Sequence, residues 1–184
     1  MFLRKPRVEV LPVTMSAVRL GERVLQIGID DPVVATAIAA KAGLSGNAVI
    51  AVTGEEDAAR ARDAAAKAGL LVDVQVTPLA PLPFESGAFD LIVAHSMRGL
   101  VSSLDAGAQH AALREWHRVL RAGGRAMTIE AGPASGLKSL LKPPQRNERY
   151  DAAGGMVGAL EAAGFRARLL AEREGYRFAE GIKT

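Results

Sequence analysis

Three side chains with catalytic or binding potential lie close together after an apolar segment. His95 and Ser96 directly follow the run Phe89–Ala94, which predicts a buried strand, and Arg98 lies two residues further on. Because ligands in open α/β sheets collect at the carboxyl ends of strands, these residues are candidates for a site. His95 would be a general base, Ser96 an orienting hydroxyl and Arg98 an anion clamp. The alternative is a polar cluster that binds only backbone and water.

Two carboxylates follow another apolar run. Asp30 and Asp31 come at the end of the predicted strand Val24–Ile29, and Pro32 follows directly. Asp before Pro is typical of a helix start, with Asp as the N-cap and Pro in the first helical position. We therefore expect both carboxylates to serve mainly in helix capping.

The elements that must position these residues alternate along the chain. Strands are predicted at Val24–Ile29, Ala48–Val52, Leu71–Val76, Phe89–Ala94, Arg125–Glu130, Phe165–Glu172 and Tyr176–Ala179, and helices at Val33–Ala42, Glu55–Ala68, Gln109–Leu120 and Asp151–Ala163. Alternating strands and helices predict a mostly parallel sheet with crossovers of one hand, and the last two strands predict a hairpin. We expect a single α/β domain over residues 1–184, with a Rossmann-like seven-stranded sheet and helices on both faces. The Gly-, Ser- and Pro-containing segment 132–149 is predicted to be a mobile loop.

Composition narrows the classes of function. The chain has 184 residues, 49% of them hydrophobic and 23% charged, as expected for a soluble globular domain. It has no cysteine, and His110 and His117 share a helix face without further ligands, so no metal site is expected. The net charge of +3 gives little reason to expect a nucleic-acid partner. Without a signal peptide or a long apolar run, we expect a cytoplasmic protein that does not bind membranes.

Three segments carry a family resemblance. Leu82-Pro83-Phe84, Phe89–Val93 and Arg118–Gly124 occur in an order that resembles the second half of a class I S-adenosylmethionine-dependent methyltransferase of the small type that acts on metabolites. In that family they form the loop near the adenine, the fourth strand and a helix-to-strand turn. The resemblance covers about Arg23 to Phe178 and implies S-adenosylmethionine as cofactor and a small-molecule substrate. It places the cofactor contacts at Gln26, Gly28, Asp30, Thr53, Glu55, Pro78, Leu79 and His95, and the catalytic candidates at His95 and Ser96.

The glycine-rich loop of the family is altered in this chain. Only Gly28 keeps its place, and the other two glycine positions hold Asp30 and Pro32. Glycines matter there because the ligand lies against the backbone, where a Cβ would collide. The acid that would meet the ligand ammonium is replaced by Gln26. The carboxylate of Asp30 could compensate for it from another angle.

The two acids that hold the nucleoside are also replaced. The ribose-binding acid falls at Thr53, with Glu55 two residues later, and the adenine-binding acid falls near Pro78. A hydrogen bond to a charged group contributes roughly 1.5–3 kcal/mol, so two lost bonds weaken binding by about 10²–10⁴. These changes count against activity.

Three interpretations of function follow from the resemblance and its departures. The chain is a methyltransferase that acts on a small molecule, or a methyltransferase-like protein that no longer binds S-adenosylmethionine and serves as a binding or scaffold module for a protein partner. In the third interpretation, the same fold binds another ligand, such as a nucleotide.

Overall fold

The computed structural model describes residues 10–43, 47–132 and 148–184. Its elements in chain order are α1 (Leu11–Met15), β1 (Arg23–Ile27), α2 (Pro32–Ala42), β2 (Asn47–Val52), α3 (Glu55–Ala68), β3 (Asp73–Val76), β4 (Phe89–Ser96), α4 (Ala106–Val119), β5 (Leu120–Ala131), α5 (Glu148–Ala152), α6 (Gly155–Ala162), β6 (Arg166–Arg173) and β7 (Tyr176–Ile182). The strands form a seven-stranded sheet in the order β3-β2-β1-β4-β5-β7-β6.

All neighbouring strands are parallel except those that pair with β7. Strand β7 runs antiparallel to both β5 and β6. The predicted fold class, a mostly parallel seven-stranded sheet with a closing hairpin, is therefore confirmed. The order reverses between β1 and β4, so the loops after these two strands diverge. In open α/β sheets such a reversal creates the crevice in which ligands bind.

Helices cover both faces of the sheet. Trp116 and Leu113 of α4 pack with Ile92 and Ala94 of β4 in one buried cluster. On the opposite face, Val93 and its neighbours pack against α1 and α2. Since successive strand residues point to opposite faces, the end of β4 directs one polar side chain to each layer. His95 is on the α2 face and Ser96 on the α4 face.

Two predicted helices differ from those in the structure. The predicted helix Asp151–Ala163 is divided into α5 and α6 because Gly154 and Gly155 both have positive φ, +91° and +59°. Two consecutive residues in that region end a right-handed helix. Helix α4 begins earlier than predicted because the Asp105 carboxylate caps it, accepting from the Ala108 N–H at 2.9 Å. Most of the predicted mobile loop, 132–149, lies outside the described residues.

Within the described ranges, no helix has the length and apolar character needed to cross a membrane.

Candidate functional site

The backbone closes tightly at the end of β1. Gly28 has φ +76°, and its N–H donates to the carbonyl oxygen of Ala51 at 2.8 Å. A Cβ added at Gly28 would lie 2.9 Å from the carbonyl oxygen of His95 and 3.1 Å from Cδ2 of Leu100. Glycine is therefore required here by the packing of the protein itself. Its retention at this position gives no independent sign of a ligand.

Gln26 and His95 form a buried pair across β1 and β4. The Gln26 side-chain Nε2 donates to the carbonyl oxygen of Ala35 at 2.8 Å. The Gln26 Oε1 therefore accepts, and His95 Nε2 donates to it at 2.8 Å. This assignment places the imidazole proton on Nε2. Gln26 thus links β1 to α2 and β4 rather than presenting its amide to solvent.

The burial of His95 also sets its protonation. Desolvation lowers the pKa of His95 to about 4, against a weaker opposing effect of the Asp30 and Asp31 charges. The ring is neutral at pH 7 and is a weak proton acceptor. Its role as a general base therefore stays a prediction that this environment does not favour.

Asp30 contacts the loop that follows β4. Its Oδ2 accepts from the Met97 N–H at 2.7 Å, and its Oδ1 accepts from Arg98 Nε at 3.1 Å. The capping expectation is thus wrong for Asp30 and right for Asp31, whose Oδ1 accepts from the Val33 N–H at 2.8 Å. Asp30 instead ties the β1–α2 loop to the β4–α4 loop.

Arg98 and Arg60 extend this contact to α3. Arg98 Nη2 donates to the Ile29 carbonyl oxygen at 2.9 Å and lies 3.6 Å from Asp57 Oδ1. Arg60 donates to Asp57 Oδ1 at 2.7 Å and to the Asp30 carbonyl oxygen at 3.2 Å. We call Asp30, Asp57, Arg60 and Arg98 the strand-end cluster. The hydrogen bond to Asp30 raises the pKa of Arg98, so its guanidinium remains charged.

Asp57 was not predicted from the sequence as a site residue. It lies in the first turn of α3 behind Glu55 and Glu56, where three consecutive acids favour the helix N-terminus. Because acids at a helix start are common, this pattern gives no reason to assign Asp57 a further role. Its spacing from Arg60 could have indicated an Asp57–Arg60 ion pair, since residues three apart on a helix are neighbours.

The other predicted cofactor contacts lie outside this cluster. Thr53 and Pro78 are exposed. The Glu55 carboxylate pairs with Arg62 at 2.5 Å along α3. Leu79 packs against the apolar cluster on the α4 face. The expected substitution of Glu55 for the ribose-binding acid would therefore require Glu55 to leave Arg62.

Ser96 is buried, and its hydroxyl is used within the chain. Ser96 Oγ accepts from the Val101 N–H at 3.4 Å and so closes the turn that follows β4. A hydroxyl can still donate to a second group. Its predicted orienting role remains untested.

Glu115 and Arg118 of α4 hold the loop before β4. Arg118 donates to the carbonyl oxygens of Leu82 and Phe84 at 3.0 and 2.8 Å, and the Glu115 carboxylate accepts from the Leu82 N–H at 2.7 Å. The two side chains also pair with each other at 2.8 Å, and Arg118 lowers the pKa of Glu115. Arg118, in the segment Arg118–Gly124, therefore positions Leu82-Pro83-Phe84, another of the three segments that carry the family resemblance.

Glu130 and Tyr150 form a second buried pair at this edge. Glu130 lies opposite Ser96 in the β4–β5 register, and the Tyr150 phenol donates to its Oε1 at 3.0 Å. Its Oε2 is buried and has no hydrogen-bond partner in the described parts of the chain. Burial raises the pKa of Glu130 and, more strongly, that of Tyr150. No group of three or more potential metal-binding side chains occurs among the described residues.

Comparison with known proteins identifies the family. The family model described as a methyltransferase domain matches residues 25–128, more than half of the chain. The chain belongs to the S-adenosylmethionine-dependent methyltransferase family. The predicted family is thereby confirmed, and S-adenosylmethionine is the cofactor of this family.

Individual methyltransferases share both sequence and fold with the chain. The ubiquinone/menaquinone biosynthesis C-methyltransferase UbiE of Cupriavidus metallidurans is 29% identical over 123 residues, which make up 66% of this chain and 48% of UbiE. The chain thus spans about half the length of the curated relatives it matches. A SAM-dependent methyltransferase from Aquifex aeolicus superposes with a TM-score of 0.75 at 19% identity, covering 94% of this chain and 87% of that one. PigF, solved with SAH, has a TM-score of 0.62 at 22% identity, covering 89% of this chain and 51% of that one.

The strand-end side chains that are expected to contact the cofactor already have partners within the chain. Gln26 has no charge and is bound within the chain, and both carboxylate oxygens of Asp30 already accept hydrogen bonds. Thr53 and Pro78 bring no carboxylate to the ends of the next two strands. At the ends of β1 and β4, the polar side chains Gln26, His95 and Asp30 are thus bound to other groups of the chain.

Proposed function

We propose that this chain is a methyltransferase-like protein that acts on a small molecule and binds S-adenosylmethionine weakly. Membership of the family supports the reaction type and the cofactor. The observation that carries the weak affinity is the strand-end cluster, in which Asp30 is engaged by Met97 and Arg98. A ligand would have to compete with contacts that are already formed.

The expected loss of affinity follows from the missing carboxylates. A hydrogen bond to a charged group contributes about 1.5–3 kcal/mol. Two that are lost and not replaced weaken binding by roughly 10²–10⁴, which moves a micromolar dissociation constant towards millimolar. Positioning of donor and acceptor supplies much of the acceleration in such a displacement, so a loosely held cofactor also slows transfer.

Isothermal titration with S-adenosylmethionine and S-adenosylhomocysteine tests the proposal. We expect dissociation constants of about 0.1–10 mM for the folded wild-type chain. Low-micromolar binding of either compound would contradict the proposed weakness.

Restoring a lost carboxylate provides the positive test. Thr53 is exposed at the end of β2, so Thr53→Asp should leave the fold intact. We expect it to tighten cofactor binding about tenfold or more, the value of one hydrogen bond to a charged group. Thr53→Asn is the matched control, because it has nearly the same shape without the charge, and it should leave the affinity near that of wild type.

A second candidate is a binding module without transfer activity. It is favoured by the Gln26–His95 pair, which satisfies two buried polar side chains at the crevice without any ligand. If neither cofactor compound binds at about 10 mM while the protein is folded, this candidate replaces the enzyme. Binding of another nucleotide in the same titration, ATP for example, would instead support a different ligand on this fold. A protein partner and a cytoplasmic location remain proposals from the sequence.

A further inference from the structure

The proposed weak binding of the family cofactor has a local cause in the strand-end cluster. Two carboxylates from different loops, Asp30 and Asp57, face one guanidinium, that of Arg98, at 3.1 and 3.6 Å. The side chains of Asp30 and Asp57 are 15% and 31% exposed, whereas that of Arg98 is 64% exposed. The cation therefore lies on the solvent side of the two carboxylates.

We propose that Arg98 is a specificity-determining residue. Its guanidinium pairs with the carboxylates of Asp30 and Asp57, which a ligand with an ammonium group would need at this crevice. The inference rests on the proposed function, because it assigns part of the weak cofactor affinity to one residue. It predicts that ligands carrying an amino-acid group are excluded more strongly than uncharged nucleosides.

Removal of Arg98 would leave a carboxylate in place and unneutralised. Asp30 Oδ2 would still accept from the Met97 N–H at 2.7 Å, which keeps the carboxylate oriented. In the structure, Arg60 binds the carbonyl oxygen of Asp30 and the Asp57 carboxylate, so removal of Arg98 takes away the arginine partner of the Asp30 carboxylate. The cluster has two acids and two arginines, so its formal charge changes from zero to −1.

The fold should tolerate this change. Exposed ion pairs contribute little to stability, typically about 0–1 kcal/mol, and the side chain of Arg98 is mostly exposed. The opposite role is the anion clamp, in which Arg98 binds the carboxylate of the ligand. The two roles predict affinity changes of opposite sign.

The test is a titration of the full chain with methionine, S-adenosylmethionine and adenosine. We expect Arg98→Ala to bind methionine and S-adenosylmethionine at least fivefold more tightly than wild type, and to bind adenosine within twofold of wild type. Arg98→Lys should retain wild-type affinities. Arg168→Ala is the matched control, because it removes one positive charge from a similarly exposed arginine that pairs with Glu180 on the β6–β7 hairpin, outside the cluster.

Unchanged or weaker binding of both amino-acid ligands to Arg98→Ala would overturn the inference. Thermal melting establishes that each variant is folded, and Arg98→Gln replaces the alanine variant if that variant melts early. Tight binding of S-adenosylmethionine to wild type would refute the proposed weak site. Weak binding to wild type without improvement in Arg98→Ala or Arg98→Gln would refute only the role of Arg98.

Discussion

Lowering the pH from 7 to 4 is expected to destabilise this fold through His95. The side chain is buried, and its Nε2 donates to Gln26 Oε1. Desolvation lowers the pKa of His95 from 6.5 to about 4 in the folded state. In the unfolded chain, the same imidazole takes up a proton near its ordinary pKa of about 6.5. Between these two values, acid therefore favours the unfolded state.

The magnitude follows from the difference between the two pKa values. A difference of one pKa unit corresponds to 1.36 kcal/mol, so 6.5 against about 4 gives roughly 3 kcal/mol. This contribution is fully present above the unfolded-state pKa of 6.5 and is lost as the pH falls to 4. It is a large part of the roughly 5–15 kcal/mol that stabilises a typical domain.

Urea denaturation between pH 7 and pH 4 measures this effect. We compare wild type with His95→Gln, which cannot titrate and still offers an N–H to Gln26. The free energy of unfolding of wild type should fall by about 3 kcal/mol more than that of the variant. His110→Gln is the control, because His110 is exposed on α4. Equal pH dependence of wild type and His95→Gln would refute the reasoning.

Three further changes test other parts of the crevice by denaturant unfolding. Gly28→Ala places a Cβ 2.9 Å from the His95 carbonyl oxygen at φ +76° and should cost about 2 kcal/mol or more; a cost below about 0.5 kcal/mol would contradict this. Glu130→Gln removes a carboxyl whose raised pKa makes wild type lose stability as the pH rises, so the variant should be relatively more stable at pH 8 than at pH 4. A constant difference would exclude this. Arg118→Ala should cost about 1–3 kcal/mol and speed hydrogen exchange of the Leu82 amide, which donates to Glu115 in the loop that Arg118 holds; unchanged exchange would show that the loop is ordered without Arg118.

Local signals in the sequence predicted most of the fold. Asp31 before Pro32 marks the start of α2, and Gly43 and Gly69 mark the ends of α2 and α3. These signals act over a few residues, through capping and the freedom of glycine to adopt positive φ. Apolar runs predicted β1, β2 and β4, because both faces of these strands are buried. The division between α5 and α6 was not predicted, because Gly154 and Gly155 lie within an Ala-rich stretch. Glycine can adopt helical as well as positive φ values, so the sequence alone does not show that the helix breaks there.

The site could be predicted only in part, because its contacts join distant segments. Asp30 and Arg98 are 68 residues apart, and Gln26 and His95 are 69 apart. No local sequence pattern shows which acidic side chain forms an ion pair with which arginine. The family resemblance indicated which positions lie at the strand ends, but it could not indicate which partners the side chains at these positions bind. Asp30 was therefore predicted to cap a helix, although it binds the backbone of Met97 and the side chain of Arg98 in the loop after β4.

The pattern of satisfied and unsatisfied groups bears on how the crevice is used. Buried polar groups that lose a partner normally carry a large cost. On the β1 side, Gln26, His95 and Asp30 all have partners within the chain. On the β5 side, Glu130 keeps a buried oxygen without one among the described residues. The polar side chains Gln26, His95 and Asp30 thus form contacts within the chain, which is the arrangement expected if they stabilise the protein first and meet a ligand only in competition with those contacts.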